Sequence, residues 1–376
     1  MTRSLLTRLF GQPLPRQDVE AKTLPSIQAL PILSSDALSS VAYATDAALG
    51  VLVLAGSGAL GLSLPITLTI VALIGIVVLS YRQTIAAYPQ GGGAYVVGRE
   101  NLGTLASLVA AASLLIDYVL TAAVSLMAGT QALSSLLPFL LDWEVPIALV
   151  LLVLVGWANL RGVGEAGRLF ALPTYSFVVM VGVLALAGLQ NLIVSHGFTP
   201  DPPPLVKAIE PLGLFLILRA FSSGCSAMTG IEAIANGVQL FRTPSAQRAR
   251  KTLLVMGGLL AAMFIAVSGL GFIYGIAPNP DVTVMAQLGM RVFGPHSPLL
   301  WVLQITTLLI LMLAANTAFA DFPRLSALLA RDNFLPRQMA WVGDRLVFQN
   351  GILFLVVATG VIIVICQGDT TVAVNL

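Results

Sequence analysis

Charge is scarce in this sequence: 10% of its 376 residues are Asp, Glu, Lys or Arg, whereas 57% are apolar. A water-soluble domain of that composition would expose large apolar patches, so the solvent for most of the surface must be lipid. The 19 basic and 17 acidic residues nearly cancel, and the basic ones are scattered through short loops. That distribution argues against a nucleic-acid partner. Cysteine is almost missing, and Cys225 and Cys366 have no CxxC or Cys/His spacing, which leaves a zinc site or redox pair without support. The two histidines, His196 and His296, fall in expected outer loops, far from any membrane nucleophile, so no hydrolytic constellation is available. The reading is accordingly no enzyme and no cofactor. The glycine-rich run Tyr88–Tyr95 lacks GxxxxGK[ST] and follows an apolar span instead of a strand; it reads as close packing of a short intracellular or re-entrant helix.

What the chain has in abundance is apolar runs of spanning length, at about 29–55, 63–81, 104–134, 146–160, 169–190, 212–240, 253–276, 299–321 and 350–367. Residues 1–28 form a basic tail without a small-residue cleavage site, expected to be retained in the cytoplasm. With that tail inside, sixteen of the nineteen basic residues fall in inner loops, among them Arg3, Arg82, Arg161, Arg248, Arg324 and Arg345. Lys207 and Arg291 remain outside, and Arg219 lies within span six. This is the bias of the positive-inside rule. Nine spans leave the C-terminus outside with no basic stop-transfer segment, so a tenth span is expected beyond residue 376.

Two spans are poor helices. Span one carries the polar stretch Ser34–Asp46, and span six carries Ser222–Glu232 with Gly224 and Gly230. Interrupted segments five spans apart, one opening each half, point to an inverted-repeat transporter with discontinuous helices at its midplane. The first repeat is expected at about 29–190 and an incomplete second one at about 212–376, together forming the transporter domain 29–376.

A carboxylate near the bilayer centre costs roughly 2.5–3.5 kcal/mol on insertion scales, which makes Asp36, Asp117 and Glu232 functional candidates. The bland reading is that each is protonated or hydrogen-bonded and only packs the bundle. Asp117, Thr121 and Ser125 recur at i, i+4 and i+8 on one face of span three. Hydroxyls there also serve helix packing, and the carboxylate beside them favours an oxygen-lined ion site. Glu232, two residues after Gly230, is a candidate proton carrier or, equally, a fixed hydrogen-bond donor that locks span six.

The stretch Ser34–Tyr43, Asp117–Tyr118, Phe221–Val238, Ala315–Pro323 and Arg331–Pro336 together resemble the amino acid-polyamine-organocation (APC) superfamily, and within it the KimA-like potassium importers of the KUP group. The resemblance covers almost the whole chain. It implies an all-α integral membrane protein with a LeuT-type inverted-repeat bundle, helices 1 and 6 broken, here ending after helix 9. It implies potassium uptake coupled to proton entry across a bacterial cell membrane. It also assigns ion-binding positions to Asp36, Tyr43, Asp117, Tyr118, Thr121, Ser125 and Thr229, with potassium held by Asp117, Thr121, Ser125 and Thr229, and proton coupling to Glu232. Homodimerisation and control by cyclic di-AMP belong to family members with a further cytoplasmic domain, which these 376 residues do not contain. The transported species are thus a monovalent cation and a proton, and the standing partner is lipid.

Two other readings remain. A proton-coupled amino acid permease of the same superfamily shares the glycine-containing loop and the broken span six, but typically keeps glycines and free N–H groups in span one to receive a carboxylate. Serines and Asp36 occupy that position here. A membrane sensor or structural subunit that keeps the fold without transport is weakened by three costly acids.

Overall fold

The computed structural model describes residues 23–89, 91, 93–161, 166–197, 199–341 and 348–374. Most of the basic tail, Gln90, Gly92 and Arg345 lie outside the described residues. Among those described, eight helices are long and apolar enough to cross a membrane, with a ninth apolar helix of 17 residues. The β-structure among the described residues is two isolated bridges.

Span one consists of α1 (Ser26–Ser39) and α2 (Val41–Leu52), and span two is α3 (Ser63–Ala87). The short helix α4 (Ala94–Asn101) follows, in the place where the glycine-rich run was expected to seat one. Spans three, four and five are α5 (Thr104–Ser134), α6 (Glu144–Leu160) and α7 (Ala166–Asn191). Span six holds α8 (Leu214–Gly224) and the single turn α9 (Ala233–Asn236). Span seven is α10 (Ser245–Ile273), α11 (Val284–Phe293) lies between spans, and span eight is α12 (Pro298–Arg331). The apolar α13 (Gln349–Ile365) and the start of a further helix, α14 (Thr370–Val374), complete the order. This is a LeuT-type all-α bundle, as the sequence led us to expect.

Burial separates the spans. In span one 78% of the apolar window is buried, against 22% for the span over 138–160. Span one is therefore the axis of the bundle, and its polar residues face protein instead of lipid. The opposite condition holds at the rim, where Ile76, Leu105, Leu186 and Val357 project outward and are more than half exposed. Close helix approaches rest on small residues: a β-carbon at Gly257 would lie 2.6 Å from Val78, joining α10 to α3.

Alternating connections give the bundle two chemically distinct faces. Arg82, Arg99, Arg161, Arg248 and Arg331 mark one, and Asp142, Asp201, Asp281 and Asp369 the other; we call them the basic and the acidic face. On the basic face, Tyr95 and Arg99 of α4 both donate to Asp332 Oδ2 at the end of α12, Tyr95 Oη at 2.6 Å. On the acidic face, Asp46 Oδ1 accepts from the Val284 N–H at 2.9 Å, and Thr283 caps the same helix by accepting from Ala286. A carboxylate from span one thereby satisfies the positive end of α11.

Candidate functional site

The two expected interruptions differ in kind. Span six is unwound: after α8 come a 3₁₀ turn, Cys225–Met228, then Thr229 in extended backbone, then Gly230 at φ +78°. Span one is interrupted only at Ser40, whose own backbone stays helical at φ −60° and ψ −24°. The wider unwinding expected across Ser34–Asp46 is absent: helical backbone bonds run through the kink, from the Ser40 N–H to the Asp36 carbonyl at 3.2 Å and from the Ala44 N–H to the Ser40 carbonyl at 2.9 Å, and serine hydroxyls add to them. Ser39 Oγ donates to the Asp36 carbonyl at 2.8 Å, and Ser40 Oγ lies 2.6 Å from the Ala37 carbonyl and 3.0 Å from that of Ala227. The Ser40 hydroxyl therefore ties the kink of span one to the break of span six.

That tie places the two spans for a closer contact. Thr229 Oγ1 lies 3.5 Å from Asp36 Oδ2 and 3.3 Å from Thr121 Oγ1. Three spans thus present oxygens to one point: a carboxylate from span one, and hydroxyls from spans three and six. The geometry depends on Gly230, where a β-carbon would stand 2.6 Å from Asp36 Oδ2. Asp36 is 5% exposed, and its Oδ1 is buried without a hydrogen-bond partner in the protein. The Oγ atoms of Ser34, Ser35 and Ser125 are buried in the same condition. Orphaned buried oxygens are costly unless something else solvates them, and a small cation is a group that does so without donating a hydrogen bond.

The other expected site residues distribute around this cluster. Tyr43 and Tyr118 are buried, at 3% and 5% exposure. Tyr43 lines a small cavity of about 10 Å³ together with Asp46, Gln131 and Thr307. Tyr118 lines a cavity open toward the basic face. Ser125 is fully buried one turn beyond Thr121, and Asp117 is half-buried one turn before it. Glu232 is buried, three residues after Thr229. It stands in the broken segment of span six, between Gly230 and the turn Ala233–Asn236. His296 is exposed in a loop, and Cys225 and Cys366 are free thiols.

Residues that sequence reasoning left aside also take part. Ser40 joins spans one and six, and the signal for it was present in the polar stretch of span one; Gly230, already read as part of the break in span six, makes room there for Asp36. Asp46 lies deeper toward the acidic face, in the wall of a cavity of about 400 Å³ that also holds Glu144, Asp281 and Asp369. Asp321 and Arg324 line the opposite cavity of about 270 Å³.

Residues 32–376 match the family model described as amino acid permease. The chain belongs to the amino acid permease family. Among curated relatives of this permease chain, the potassium transporter KimA of Bacillus subtilis (strain 168) is 46% identical over 371 residues. That alignment takes in 98% of the chain and 61% of the relative, so the permease chain spans about three fifths of that relative's length. Low affinity potassium transport system protein Kup of Sodalis glossinidius (strain morsitans) is 30% identical over 121 residues, 31% of the chain and 19% of the relative. The Kup protein of Salmonella newport (strain SL254) is 27% identical over 126 residues, with the same two shares.

Proposed function

We propose that this permease chain is the membrane-spanning part of a secondary active transporter that imports potassium by proton symport, with its ion site between spans one, three and six. The observation that carries the reading is the meeting of Asp36, Thr229 and Thr121 oxygens at the break of span six, with Asp36 Oδ1 buried and unpartnered. A dehydrated hard cation needs several oxygen ligands and charge neutralisation, and this cluster offers both. Asp117, Ser125, Tyr43 and Tyr118 extend the ion path along spans three and one, and Glu232 is the proton carrier. The relatives named as potassium transporters point the same way. In this reading the basic face is cytoplasmic, in a bacterial cell membrane, by the positive-inside rule. The homodimer and cyclic di-AMP control implied by the family stay expectations for a longer chain.

The amino acid permease reading is less favoured by one observation. Its substrate carboxylate requires free N–H groups in span one, whereas here the kink is a single residue bridged by Ser39 and Ser40. A negative Asp36 at that position repels a carboxylate.

The test is growth of a potassium-uptake-deficient bacterium, at limiting potassium, on the gene that encodes this chain. Rescue is expected, together with rubidium uptake in proteoliposomes that rises under an inward proton gradient. No rescue, with amino acid uptake instead, would install the permease reading; neither activity in a folded protein would favour the non-transporting one. If Glu232→Gln leaves gradient dependence unchanged, the carrier role of Glu232 is wrong.

A further inference from the structure

The cavity on the basic face, of about 270 Å³, is lined by Tyr118, which follows Asp117 in span three, and by Leu33 of span one and Asn236 of span six. It therefore adjoins the same three spans that form the ion cluster. Asp321 and Arg324 of span eight complete its wall, and they are the carboxylate and the cation of that wall. Arg324 Nη1 lies 3.6 Å from Asp321 Oδ1, one helical turn away. Exposure differs sharply between them: 21% for the Asp321 side chain and 62% for that of Arg324. A pair so exposed on its basic side is weak and exchanges readily with other cations. The carboxylate, held in the recess, cannot follow the guanidinium outward.

We infer that Asp321 is an exit station for the transported cation, and that Arg324 is its resident competitor, displacing the ion into the solvent. The inference rests on the transport reading above. A bare carboxylate in a recessed, low-dielectric vestibule would retain an arriving cation and slow its release. The flexible guanidinium one turn away reclaims the carboxylate after each passage, and it also opposes re-entry of cations from the basic side. Release and rebinding are thus set by competition at one oxygen pair, away from the Asp36–Thr229–Thr121 cluster.

The test uses proteoliposomes with the chain inserted in one orientation, comparing rubidium uptake at a series of internal potassium concentrations and measuring external KM alongside. In Arg324→Gln, half-inhibition by internal potassium should come at about tenfold lower concentration, with external KM unchanged. Arg324→Lys, which keeps the charge, should stay near wild type. Asp321→Asn should raise the half-inhibiting concentration, and the double variant should follow Asp321→Asn, because without the carboxylate there is nothing to compete for. Equal loss in all variants, with external KM moving in step, marks a structural pair and overturns the inference. So does an internal potassium dependence that matches wild type in both Arg324→Gln and Asp321→Asn. If the wild-type chain itself moves no rubidium, the transport reading fails, and the exit station with it.

Discussion

Gly230 and Asp36 face each other so closely that a β-carbon on the glycine would stand 2.6 Å from one carboxylate oxygen and 2.8 Å from Cβ and Cγ. The glycine is also at φ +78°, which strains any L side chain. The broken span six is thus shaped around the carboxylate of span one, and neither residue can change without the other being felt.

Gly230→Ala should accordingly lower potassium uptake by more than about tenfold, from a left-handed penalty of about 1–2 kcal/mol plus displacement of Asp36. Surface expression and helicity by circular dichroism should stay near wild type. Normal uptake in a folded Gly230→Ala protein would show that the close approach has no bearing on the ion.

At the neighbouring position the hydroxyl can be separated from the shape. Thr229→Val should raise KM for potassium about tenfold, the scale of one lost ligand in a buried site, while Thr229→Ser stays within about threefold. Thr121→Val should resemble Thr229→Val, and the double variant should fall short of the product, since the two hydroxyls lie 3.3 Å apart. Equal effects of Val and Ser at position 229 would assign the residue to packing alone.

The Tyr95–Asp332–Arg99 contact on the basic face makes a stability prediction. Tyr95 is 2% exposed and the Arg99 side chain 51%, so the buried donor carries more of the contact. Thermal unfolding in detergent should show Asp332→Ala lowering Tm most, Tyr95→Phe less, and Arg99→Ala least. Burial, and then the Asp332 carboxylate, hold the Tyr95 phenol above its ordinary value. Its contribution is present below the unfolded value and lost as pH rises through the folded one. The Tm difference between wild type and Tyr95→Phe should therefore stay constant from about pH 6 to 9 and shrink only above about pH 10. A difference that vanishes near neutrality contradicts this account.

The fold was largely legible in the sequence because lipid imposes one rule on every span, and the runs at 104–134 and 350–367 lie close to the helices found. Span one was legible as a span with a polar interruption but not in how little its helix is interrupted: the Ser40 hydroxyl at the kink also meets a carbonyl of Ala227, 187 residues away. Helix α11 escaped notice for a similar reason. Ten residues between two spans give a weak pattern, and the Asp46 carboxylate that meets its first turn is 238 residues distant in sequence. Asp36 and Thr121 were legible as residue types in unusual places, whereas the placing of Thr229 with them in one site came from the family resemblance and not from the pattern of residues. Gly230 read as a helix breaker; only the structure shows which carboxylate it makes room for.

The deep burial of span one also has a consequence for biosynthesis. Span one is synthesised before the other spans of this chain, yet it carries Asp36, and the residue that meets that carboxylate, Thr229, is 193 positions later. At ordinary elongation rates this interval is on the order of 10–40 s. Throughout that time an isolated carboxylate in hydrocarbon opposes insertion by roughly 2.5–3.5 kcal/mol. The bundle's axis is threaded early and secured only once span six has been made.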